Sequence, residues 1–155
     1  MVFSWRAVGF GSSLAGLFIT IRKVDRFNVT AGLPEACRDL PDEFRTAVLF
    51  PVYNEDARMV SEGIRTVYAS LRDKNIERHF DIFILSDSTN PDAWVLEEEA
   101  WYTLVREENA FGRIFYRRRK SNLKRKSGNI ADFCRRWGAN YRYMVVFDAD
   151  SVMSG

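Results

Sequence analysis

The chain is predicted to be an α/β protein: a mostly parallel sheet with helices on its faces. Three observations predict this. Four short apolar runs alternate with segments whose apolar residues recur at helical spacing. The last run, Met144 to Phe147, is apolar throughout, as suits a strand covered on both faces. Each run stops at a polar turn. In a parallel sheet such turns share one edge, where ligands of open α/β sheets bind.

The elements follow in order. Residues 2–21 carry one charge, Arg6, and none lies between Ala7 and Ile21. Counted from Val2, with Arg6 snorkelling, the stretch reaches the ~20 residues of a bilayer span. We expect a transmembrane helix over residues 1–22, with small residues such as Gly9, Ser12 and Gly16 suited to close packing. Arg22, Lys23 and Arg26 place its far end in the cytoplasm by the positive-inside rule. A signal peptide is a rival reading, but no Ala-x-Ala-like site follows. A packed or interfacial helix is another. Residues 23–44, with Gly32, Pro34 and Pro41, read as a linker.

The remaining residues, 45–155, read as the α/β domain. Thr46 to Tyr53 is the first strand, with Pro51 marking where ladder pairing ends. Asn54 or Asp56 can cap the helix that follows, whose apolar residues run from Met59 to Leu71. Phe80 to Leu85 is the second strand, closing on Ser86-Asp87-Ser88. An acidic, tryptophan-bearing helix runs from Asp92 to about Glu108. Arg113 to Arg117 is a short third strand, and Ser127 to Trp137 a third helix with Gly138 at its C-cap. The fourth strand ends at Asp148-Ala149-Asp150. No element follows before Gly155, so we expect the front portion of a longer protein.

Composition excludes some classes. Residues of apolar type make up 46% of the chain, which rules out a disordered polypeptide. The net charge of +2 demands no polyanionic partner. Cys37 and Cys134 lack metal-ligand spacing, and Cys134, inside a helical segment, is expected as a small buried hydrophobe. The single histidine, His79, argues against His-based metal sites and triads and is expected at the surface.

Four features carry chemistry. Asp148 and Asp150 stand two apart in extended chain, so both can point at one spot and hold a hard divalent cation, Mg²⁺ or Mn²⁺. The bland reading is an acidic turn. Asp87 can accept hydrogen bonds from a base or ribose, or make an Asx turn. The basic run Arg117 to Lys126 ends at a helix start, Ser127-Gly128-Asn129, where free N–H groups and Lys126 suit a phosphate. A solvated face, or contact with anionic lipid or nucleic acid, is the alternative. Neither a Walker loop nor a Gly-x-Gly-x-x-Gly turn is present. One carboxylate for a base or sugar, a lysine for a diphosphate and two carboxylates for a metal together meet the needs of a nucleoside-diphosphate sugar.

In this order, Pro51-Val52-Tyr53-Asn54-Glu55, Asp87, Lys126-x-Gly128-Asn129 and Asp148-x-Asp150 resemble the family 2 glycosyltransferases of GT-A fold. The likeness is nearest to the bacterial membrane glucosyltransferases that make osmoregulated periplasmic glucans, and it covers nearly the whole chain. It implies UDP-glucose as donor, a divalent cation, a β-1,2-linked glucan as acceptor and product, and no nucleic acid. It also implies a multi-pass inner-membrane protein, in contact with lipid, whose catalytic domain is cytoplasmic. Residue by residue, it makes Pro51, Tyr53 and Glu55 walls of the uridine pocket and sets Asp87 on the uridine. Lys126, with Gly128 and Asn129, falls near the diphosphate, Asp148 on ribose and metal, and Asp150 on the metal. The family's later acidic motif, which supplies the catalytic base, and its Gln-x-x-Arg-Trp motif do not occur in these residues. The resemblance therefore implies a donor-binding half with no catalytic residue of its own. A catalytically silent UDP-sugar-binding module and a nucleic-acid-binding domain using residues 117–126 are the alternatives.

Overall fold

A computed structural model describes residues 2–22, 41 and 43–148. The chain divides into two units, Met1–Asp39 and Leu40–Gly155. In the first, helix α1 spans Val2–Arg22. The expected helix forms, but among the described residues no helix is long and apolar enough to cross a membrane. The transmembrane expectation for residues 1–22 is thus not borne out among the described residues. Nearly all of the expected linker lies outside the described residues.

The second unit is a four-stranded, all-parallel sheet. Its strands are β1 (Thr46–Val52), β2 (Phe80–Ser86), β3 (Ile114–Arg118) and β4 (Tyr143–Val146), in the order β3-β2-β1-β4. Helices α2 (Ala57–Asp73), α3 (Pro91–Glu107) and α4 (Arg125–Trp137) connect them. Strand alternation sorts the core into two layers. Val48, Phe50, Ile82 and Ile84 face one way and pack with Val60 and Ile64 of α2 and Leu104 and Val105 of α3. Ala47, Leu49, Phe83 and Leu85 face the other way, against Phe133 of α4. The predicted fold class holds.

Local chemistry sets the element ends. Asp56 accepts from the Arg58 amide at 2.8 Å and caps α2, while Asn90 caps α3 ahead of Pro91. Gly138 caps α4, but in right-handed conformation, opening a 3₁₀ turn over Gly138–Asn140. The β1–β4 ladder ends with the Phe147 amide on the Leu49 carbonyl at 2.9 Å. The next rung on that side would need an N–H from residue 51, and proline has none. On the β2 side pairing runs on to Val52.

Three side-chain expectations are corrected. His79 is buried, because a 3₁₀ turn over Glu77–His79 tucks it under the start of β2. Cys134 is exposed, because its sulfur lies 3.8 Å from Met144 Sδ on the uncovered edge strand β4 rather than in the core. The β4 residues are exposed rather than covered on both faces. Among the described residues β4 is an edge strand with one neighbour, β1.

Candidate functional site

The carboxyl ends of the strands meet in one open cleft of about 820 Å³. The end of β1 supplies Pro51, the turn after it Tyr53 and Glu55, and the residue after β2 is Asp87. The start of α4 adds Lys126 and Asn129, and Asp148 follows β4. Seven residues singled out in the sequence thus line a single space. Gly128 stands behind it, and Asp150 lies outside the described residues.

The β1 turn is tight because Asn54 takes a left-handed backbone, φ 58°, which asparagine tolerates better than most residues. Its side-chain oxygen accepts from the amides of Thr89 (3.2 Å) and Asn90 (3.4 Å), and its own amide donates to Ser88 Oγ at 2.7 Å. Asn54 thereby staples the β1 turn to the β2 turn. Glu55 folds back to accept from the Tyr53 amide, so its carboxylate holds the turn while lining the cleft. Behind the β2 turn, buried Glu97 accepts from Ser88 Oγ and from the Tyr116 hydroxyl.

Asp87 is 5% exposed and both its oxygens receive the Arg119 guanidinium, Nε on Oδ1 and Nη2 on Oδ2 at 2.7 Å. This fork also raises the Arg119 pKa, against the pull of its own burial. A carboxylate so held keeps lone pairs for a further donor. Arg119 Nη2 reaches the Arg125 carbonyl as well, at 2.9 Å. One side chain therefore ties the β2 end to the start of α4.

The loop into α4 is strained. Lys124 and Arg125 both take positive φ, 60° and 47°, without being glycine. Gly128 is required behind them: a Cβ there would lie 2.0 Å from the Leu123 carbonyl oxygen. Helix α4 begins at Arg125, two residues earlier than expected, so Lys126 sits inside its first turn. Arg125 donates to the Asn122 carbonyl (2.8 Å) and Gly128 to Lys124 (3.1 Å). Among the described residues, the amides of Lys126 and Ser127 have no such acceptor, as expected of a helix N-terminus. Lys126 lines the cleft, with Ser127 next in the chain, and the Lys126 ammonium pairs with Asp148 Oδ1. Asn129 is fully buried; its amide donates to the Leu85 carbonyl at 2.7 Å, while Oδ1 has no partner among the described residues.

The basic run is not one solvated strip. Arg117 is half-buried, 3.5 Å from Asp132, with its guanidinium over the Trp137 ring. Burial lowers its pKa, partly offset by Asp132. Arg118 stacks on Trp94 at 3.8 Å and Arg119 clasps Asp87. Among the lining residues, Asn122, Leu123, Lys124 and Arg125 were not singled out one by one, nor was the Arg119 fork. Their only sequence signal was membership of the basic run.

A divalent cation would require hard oxygen donors. Asp148 offers one carboxylate, exposed at the cleft and already neutralised by an ammonium at Oδ1, and Oδ2 has no partner among the described residues. No cluster of three acidic, histidine or cysteine side chains occurs among the described residues. The donor chemistry at Asp148 fits, and the second carboxylate proposed for it is Asp150.

Comparison with known proteins bears on this cleft. The family model for glycosyl transferase family 2 matches residues 47–155. The chain belongs to that family. The match starts in β1 and takes in every wall of the cleft. Members of family 2 use a nucleotide-sugar donor, often with a divalent cation. The chain is also 47% identical over 156 residues to a Ralstonia nicotianae protein named glucans biosynthesis glucosyltransferase H. Proteins of the same name from Nitrosomonas europaea and Escherichia coli are 48% and 46% identical. In each case the whole chain aligns and spans 18% of the relative's length.

Proposed function

We propose that this family 2 stretch is the donor-binding half of a glucosyltransferase that takes glucose from UDP-glucose and adds it to a β-1,2-linked glucan. The observation that carries the reading is the convergence at α4. Lys126 lines the same cleft as Asp87 and Asp148, and its amide, like that of the adjoining Ser127, has no backbone acceptor among the described residues. Glucan as the acceptor is supported by the relatives' printed name.

In this reading Tyr53, half exposed at the mouth, covers the uracil, and Asp87 accepts from the base or ribose while Arg119 holds it. Lys126 and the first turn of α4 take the diphosphate and offset the negative charge that grows on it as glucose leaves. Asp148 lies at the ribose, and with Asp150 it would hold a divalent cation, whose chemistry is to neutralise the departing diphosphate. The catalytic base lies elsewhere in the protein. Location at the bacterial inner membrane belongs to the proposal and rests on the resemblance alone, not on α1.

The nucleic-acid alternative is weakened by how the basic run is used. Arg117, Arg119 and Lys126 pair with Asp132, Asp87 and Asp148, so these three charges are partly neutralised within the chain. Calorimetry with UDP-glucose and single-stranded RNA separates the readings. Lys126→Ala should weaken UDP-glucose binding by about 1.5–3 kcal/mol, while Arg118→Ala leaves it nearly unchanged. Equal losses for RNA, with UDP-glucose unaffected, would reject the donor site.

A further inference from the structure

Beside the donor cleft lies a second one of about 360 Å³, within the usual size of small-molecule sites. The Arg119–Asp87 ion pair stands at the junction, and Asp87 and Asn122 line both clefts. The walls of the side cleft are otherwise its own: Trp94, Arg118, Lys120, Thr89 and Ser121.

Its cations are arranged for a ligand. The Trp94 indole N–H donates to the Ser88 carbonyl, which fixes the ring. The Arg118 guanidinium carbon lies over that ring, 3.8 Å from its centroid. Stacking of this kind restrains the long side chain yet leaves its N–H edge open, so less freedom is lost when an oxyanion binds. Among the described residues no carboxylate pairs with Arg118 or with Lys120. The hydroxyls of Thr89 and Ser121 add donors. The charge count selects the ligand. Of three lining cations, Arg119 is neutralised by Asp87, which leaves two positive charges. A carboxylate would balance one; a phosphate monoester, at about −1.5 to −2 near neutral pH, balances both.

We propose that the side cleft is a phosphate-monoester site, separate from the donor cleft. The phosphate comes either from a small metabolite or from a lipid headgroup such as that of phosphatidic acid. The site stands whether or not the donor cleft takes UDP-glucose.

The Trp94 indole N–H resonance of the ¹⁵N-labelled chain reports on it. Titration with inorganic phosphate should shift that resonance saturably. Arg118→Ala and Lys120→Ala should each weaken binding about tenfold, the loss of one charge-assisted contact. Lys126→Ala, in the donor cleft, should leave it unchanged. Both side-cleft residues are exposed, so Lys120→Ala serves if Arg118→Ala disturbs the Trp94 stack. A linear, unsaturated shift overturns the proposal, as does a loss on Lys126→Ala as large as that on Arg118→Ala. Vesicles of phosphatidylcholine with and without phosphatidic acid separate the sources. Capture only by phosphatidic-acid vesicles, abolished by Arg118→Ala and competed by phosphate, identifies the lipid. Phosphate binding without vesicle capture identifies a soluble ligand.

Discussion

At Lys124 the backbone adopts φ 60° and ψ 16°, and Arg125 beside it is also left-handed. Such a pair costs free energy that the rest of the loop must offset, through the Arg119 bridge to the Arg125 carbonyl and the Arg125 bond to Asn122. Lys124→Gly should relieve part of that strain. We expect a gain of up to about 1 kcal/mol in urea denaturation, the left-handed penalty less the entropy of an added glycine. A loss of stability would mean that the Lys124 side chain holds the loop. None of this was legible in the sequence. A run of arginines and lysines reads as a solvated or anion-binding face, and only three-dimensional neighbours show that Arg117 and Arg119 turn inward. Asp87, by contrast, was legible by position, because a carboxylate at a strand end falls on the ligand edge of any parallel sheet.

At the scale of elements, α4 is held from both sides. Its N-terminus is pressed against Leu123 through Gly128, so Gly128→Ala must move the loop backbone. We expect a loss of about 1–3 kcal/mol in stability from overpacking. UDP-glucose affinity should fall with it in calorimetry of the folded variant, because the Lys126 amide moves too. Farther along, Asp132 accepts from Arg135 at 2.9 Å and Arg136 at 3.0 Å. Burial acts to raise the Asp132 pKa, but the bonds from Arg136 and Arg135 outweigh it and hold it below the ordinary 3.8. A carboxylate lowered in this way stabilises the fold above its unfolded pKa and loses that contribution as pH falls through the folded value. Asp132→Asn should therefore cost roughly 1–3 kcal/mol at neutral pH. Its deficit against the wild-type chain should shrink below about pH 4 in denaturation series. A deficit independent of pH would contradict the ionic role. Helix α4 itself was visible from spacing, but its start was placed at Ser127. A left-handed entry through Lys124 leaves no capping side chain to mark the end.

For the molecule as a whole, alternation of strand and helix was enough to read the parallel sheet, because periodicity and turn chemistry agree along residues 45–148. Burial was harder. The apolar run Met144–Phe147 predicts a covered strand, yet coverage depends on neighbours that no local pattern encodes, and β4 has only β1. Helix α1 shows the same limit: its apolar run was read as a span by length, while among the described residues no helix is long and apolar enough to cross a membrane. The central claim is that the end of the sheet at α4 holds a nucleoside diphosphate. Backbone amide shifts of the chain titrated with UDP in the presence of Mg²⁺ test it most directly. The amides of Lys126 and Ser127 should show large, saturable shifts, together with Asp87, and Lys126→Ala should weaken them. Saturable UDP binding that leaves the Lys126 and Ser127 amides unmoved would contradict the claim.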